Sequence, residues 1–125
     1  MVITDLLKNI EKVRRYRGCI LILSMSTLER NSGVVKEILT LSRIAGRKLY
    51  ILIDGRPGQW ASKLRDYFSE NIDVSIYLYE FRNLNELISE LMNICSKDKL
   101  IFVSSEYAEK IVSGKDLSCG EIFIV

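Results

Sequence analysis

The sequence predicts an α/β protein: a three-layer, Rossmann-like sandwich with a mostly parallel five-stranded sheet and helices on both faces. Three observations lead there. The runs CILIL (19–23), LYILI (49–53) and LIFV (100–103) are continuously apolar but too short for buried helices. A strand that is apolar on both faces belongs inside a covered sheet. Between these runs lie segments with helical spacing, and strands alternating with helices require right-handed crossovers onto a parallel sheet.

Taken in order, residues 5–17 place Leu6, Ile10 and Val13 on one helical face and Lys8, Glu11, Lys12, Arg14 and Arg15 on the other, with Gly18 as the stop. The strand 19–23 follows. Ser32 is placed to cap a helix with Val34 or Val35, Ile38, Leu41 and Ile44 or Ala45 inward, and Gly46 is its left-handed end behind Arg43. The strand 49–53 runs into DGRPG, where Arg56-Pro57-Gly58-Gln59 has the composition of a type II turn. Trp60, Leu64, Tyr67 and Phe68 then share one face of a helix ending near Asn71.

VSIYLY (74–79) alternates more softly, as a strand nearer an edge does. Asn83 followed by Glu86 has capping-box spacing and opens a helix carrying Leu84, Leu87, Ile88, Leu91, Met92 and Cys95. After the strand 100–103, Ser105 is placed to cap a short helix through Ala108, Ile111 and Val112. EIFIV (121–125) is a fifth strand, with residues 113–120 leaving room for either a parallel or an antiparallel return. No linker interrupts the pattern, so residues 1–125 read as a single domain.

Composition narrows the function classes. A chain of 125 residues and 14.4 kDa is expected to expose only ~6,800 Å² once folded, enough burial for a core without staples. No apolar run is long enough to cross a bilayer, and Asp5 sits where a signal peptide would need its apolar stretch, so the expected location is the cytoplasm, with no membrane partner. Three scattered cysteines, Cys19, Cys95 and Cys119, argue for a reducing compartment and against a disulfide scaffold or a zinc site, with Cys19 and Cys95 as small core residues. The halves differ in charge: residues 1–60 hold eleven Lys/Arg against five Asp/Glu, and residues 61–125 hold seven against eleven. That split can steer an anionic partner or let two copies pair as a homodimer.

In open parallel sheets, ligands bind beyond the carboxyl ends of the strands. That rule gathers Ser24, Ser26 and Thr27 after the first strand, Asp54 and Arg56 after the second, Glu80 and Arg82 after the third, and Ser105 after the fourth. With no histidine in the chain, the Ser-His-Asp and Cys-His arrangements and the usual general base are excluded. Catalysis would need carboxylates with a divalent ion, or a lysine or cysteine of lowered pKa; Asp54 and Glu80 are the pair to hold Mg²⁺ as in a small metal-dependent phosphodiesterase or nuclease. Binding asks for less: Arg56 and Arg82 as bidentate donors, with the hydroxyls of Ser24, Ser26, Thr27 and Ser105, suit a phosphorylated ligand. Neither a GxGxxG nor a P-loop is present. For nucleic acid, Lys8, Lys12, Arg14, Arg15, Arg17 and Arg47 are the candidate phosphate contacts. Tyr67, Tyr77, Tyr79 and Tyr107 fall in the acidic half, where they could line a subunit contact.

The stretch GCILILSMSTLERNSGVVKEILTLSRIAGRKLYILIDGRPG, residues 18–58, resembles one half of a phospholipase D-like domain, with Ala45, Gly46, Lys48 and Asp54 at its helix end and after its second strand. Activity in that family needs an H-x-K pair with a downstream acid. KDKLIFVSS (97–105) offers lysine and strand without either, so the resemblance implies a catalytically inactive relative kept for binding or dimer architecture. The leading expectation is therefore a non-catalytic binding module for nucleic acid or a phosphorylated ligand, without a cofactor. The metal-dependent phosphodiesterase and a structural or assembly protein are the alternatives.

Overall fold

The computed structural model describes residues 8, 10–30, 32–55, 69, 73–114 and 119–125. In chain order the elements are α1 (Ile10–Val13), β1 (Cys19–Ser24), α2 (Met25–Arg30), α3 (Ser32–Ile44), β2 (Lys48–Asp54), β3 (Ser75–Glu80), α4 (Leu84–Ile94), β4 (Leu100–Val103), α5 (Ser105–Gly114) and β5 (Ile122–Ile124). The helix expected over 60–71, the turn at 56–59 and Arg56 itself lie outside the described residues.

All five strands are parallel, in the order β3-β2-β1-β4-β5. The last strand, open to either direction in the sequence, pairs parallel to β4 with Ile101 opposite Ile122. β3 is an edge strand, as its softer alternation suggests, and it leaves Tyr77 and Leu78 exposed.

Alternation along the strands sorts the core into two clusters. Leu21, Leu23, Ile51, Ile53 and Phe102 join Val35, Ile38, Leu39 and Leu41 of α3. Their neighbours Ile20, Ile22, Leu52, Ile101 and Val103 join Leu87 and Leu91 of α4 and Ala108 and Ile111 of α5. The accessible surface is 7054 Å², close to the value expected for a compact chain of this mass.

Two local expectations differ from the structure. SMST does not form a rim loop after β1: Met25 begins a helical turn at once, because Ser24 Oγ accepts the Thr27 N–H at 3.1 Å and caps it. At the other crossover Ser104, one residue before the expected cap, stands at the start of α5, its carbonyl accepting the N–H groups of Tyr107 and Ala108. The Asn83 cap is as expected, with Oδ1 accepting from Glu86 N at 2.9 Å.

The cysteines require a correction. Cys95 and Cys119 are joined in a disulfide with Cα atoms 5.2 Å apart, although they lie 24 positions apart in sequence. Wide sequence spacing hid the pair because β4 and α5 lie between the two cysteines, and that excursion returns the chain to the C-cap of α4 just before β5. The expectation of Cys95 as a free core residue therefore fails; Cys19 alone is a buried free thiol, its pKa pushed up to about 11 by burial. In the chain-entropy picture a loop of this length stabilises the fold by about 3–4 kcal/mol. Cys95→Ser and Cys119→Ser should each lower stability by that amount in urea titration, the double variant should cost no more than either single one, and dithiothreitol should shift wild type alone.

The end of α3 is built as its sequence suggests. Gly46 has φ +81 and Arg47 φ 60, and Arg47 N donates to Ser42 O at 2.8 Å, closing a Schellman-type stop. A Cβ at Gly46 would also sit 2.8 Å from the Arg17 backbone, which has no side-chain freedom to yield. Gly46→Ala should cost about 1–3 kcal/mol in the same assay, from the left-handed backbone and the clash together.

Candidate functional site

Strand order reverses at β1, whose neighbours are β2 and β4, so the crevice favoured for ligands lies beyond the carboxyl ends of these strands. A dense polar network fills part of it. Ser24 N donates to the buried Ser104 Oγ at 3.0 Å, tying the ends of β1 and β4. Asp54, at the end of β2, accepts Met25 N at 2.8 Å through Oδ1 and the Tyr107 hydroxyl through Oδ2. One carboxylate thus joins β2 to the starts of α2 and α5. Burial, then the bond to Asp54, raises the Tyr107 pKa, so the phenol stays the donor. Its ring meets Phe81 edge-on with centroids 5.2 Å apart.

Glu106 forms the second node. Its carboxylate accepts Ser26 Oγ at 3.0 Å, Thr27 Oγ1 at 3.2 Å and Arg30 Nη2 at 3.1 Å. Its pKa is lowered, first by its own backbone N–H and then by the Ser26, Ser24 and Thr27 hydroxyls, against the opposing effect of burial. The hydroxyls expected to meet an external anion therefore already serve an internal one. Sequence reading could not see this, because Glu106 and Arg30 meet only through the adjacency of β1 and β4.

Beside the network a cleft of about 640 Å³ opens at the ends of β2 and β3, lined by Asp54, Gly55, Glu80, Phe81 and Arg82. Asp54 and Glu80 share this cleft but do not project alike. Glu80 pairs with Ile53, so it follows the Ile53 face, whereas Asp54 follows the face of Tyr50 and Leu52. Among the described residues no group of three or more acidic or cysteine side chains could hold a metal ion. Ser105 is exposed at the start of α5 and takes no part in the bonds of the network.

The expected basic residues lie elsewhere. Arg14, Arg15 and Arg17 lead into β1 and Arg47 into β2, at the amino ends of the strands, and Lys12 pairs with Glu121 at 2.7 Å. Lys8 is exposed ahead of α1. Lys97 and Lys99, leading into β4, join this end although they belong to the acidic half of the sequence. The fold thus converts a charge difference along the chain into one along the sheet, with Asp54, Glu80 and Glu106 at the carboxyl end.

No protein family, curated protein or solved structure matches the chain. No helix among the described residues is long and apolar enough to cross a membrane.

The Glu106 node should be visible in acid. A carboxyl whose folded pKa is lowered contributes stability that is present above its ordinary value of 4.5 and fades as pH falls through the folded pKa. Glu106→Gln should therefore lower the melting temperature at neutral pH and narrow its gap from wild type as pH falls toward about 3. An unchanged gap over that range would mean that the Glu106 charge contributes nothing.

Proposed function

We propose that the chain is a non-catalytic binding module that takes a phosphorylated, hydroxyl-bearing small ligand in the cleft beyond β2 and β3. The observation that carries this reading is the cleft itself: it lies at the carboxyl ends of parallel strands, and its size suits a small ligand. Arg82 is its one cation among the described lining residues and offers a planar, two-pronged donor to a phosphate. Asp54 and Glu80 supply acceptors for ligand hydroxyls.

Binding is favoured over chemistry on the same residues. Asp54 already accepts from Met25 and Tyr107, and Glu106 is held by two hydroxyls and a guanidinium, so both carboxylates are engaged in joining the crossovers. The register that separates Asp54 from Glu80 gives the metal-dependent phosphodiesterase less support. A catalytically inactive relative of the phospholipase D-like kind would have this character, a phosphate-recognising rim without a histidine.

Calorimetric titration of ribose 5-phosphate, ribose and inorganic phosphate tests the reading. The sugar phosphate should bind more tightly than either part. Arg82→Ala should weaken it by about tenfold or more, the range for loss of a charge-assisted hydrogen bond. Equal affinity for ribose and ribose 5-phosphate would remove the phosphate from the proposal, and no binding of any of the three would end it.

A further inference from the structure

We infer that the amino-terminal end of the sheet carries a second, separate surface that binds the phosphodiester backbone of a nucleic acid without reading its sequence. Two adjoining concavities lie there and share Lys12 and Arg15. The first, about 550 Å³, adds Lys8, Ile10 and Glu11. The second, about 400 Å³, adds Tyr16, Lys97, Asp98 and Glu121.

The internal pairings decide the sign of this groove. Glu121 is taken up by Lys12 at 2.7 Å and by the Tyr16 hydroxyl at 3.1 Å, which together lower its pKa. Asp98 is taken up by Lys99 Nζ at 3.1 Å and by Ser96, and Glu11 faces Arg14 at 3.5 Å. With each acid of the groove matched to a cation, Lys8, Arg15 and Lys97 are left as its excess positive charge. All three are exposed and make no ion pair among the described residues.

The distribution of these cations names the partner. Lys8 lines only the first concavity and Lys97 only the second, with Arg15 between, so they do not converge on one point as a site for a single anion would. A string of phosphates meets all three at once. The rim cleft lies at the opposite ends of the strands, so either surface can fail its test without the other.

Fluorescence anisotropy with labelled mixed-sequence single- and double-stranded oligonucleotides tests the assignment. Three phosphate contacts predict a loss of about 40-fold in affinity for the duplex, and about 20-fold for the single strand, between about 50 and 200 mM salt. Arg15→Glu with Lys97→Glu should weaken binding by more than about tenfold and flatten the salt slope by about 2. Lys110→Glu, an exposed reversal on α5, should bind within about twofold of wild type. Should the double reversal unfold the chain, as circular dichroism will tell, Arg15→Gln with Lys97→Gln carries the same test. No binding at low salt, or a double variant equal to wild type, overturns the proposal. Displacement by polyglutamate at equal charge concentration also overturns it, and assigns the groove to an acidic protein.

Discussion

The pairing of β1 on both edges is the constraint on which the rest of the structure depends. Its six residues are all buried, and its backbone is shared between β2 and β4. A buried peptide group left without a partner costs about 1–3 kcal/mol, so neither neighbour can be lost without several such costs at once. Both neighbours run parallel to it, and a parallel neighbour cannot be reached by a tight turn. The chain must leave the sheet between parallel strands and return by a crossover, and in the described crossovers α3, α4 and α5 each carry an apolar stripe facing the sheet.

The same adjacency shapes the rim. With β1 between β2 and β4, the starts of α2 and α5 come side by side, and their polar groups must be satisfied at close quarters. Asp54 and Glu106 satisfy them, the first through a backbone amide and a phenol, the second through two hydroxyls and an arginine. Carboxylates held this way join the crossovers at β1, and among the described residues the rim opens into a cleft beyond β2 and β3.

At the amino ends the logic is reversed. There Lys12 ties α1 to Glu121 just before β5, Arg43 at the end of α3 meets Asp73 just before β3, and Lys99 pairs locally with its neighbour Asp98. Arg15, Arg17, Arg47 and Lys97 are exposed. The two ends of one small sheet are thus chemically distinct.

Fully buried strands, edge character at β3, the Asn83 cap and the Gly46 stop were all legible in the linear sequence, because each follows from local apolar periodicity or from the backbone freedom of one residue. The helix at Met25–Arg30 was not, since it is too short to show a period and depends on the Ser24 cap. Nor was the bridge between Cys95 and Cys119, which needs the path of β4 and α5 to bring its ends together. The described rim residues, which do not include Arg56, lie at the strand ends that chain order gives, yet their bonding was hidden. Glu106 meets Ser26, Thr27 and Arg30, and Lys97 joins Arg15, only when strand order is known. Sequence by itself determined the α/β alternation and the absence of imidazole chemistry, which reside in single residues and short spacings. Tertiary structure alone decided which strand ends are neighbours, because that choice rests on hydrogen bonds and packing between segments far apart in the chain.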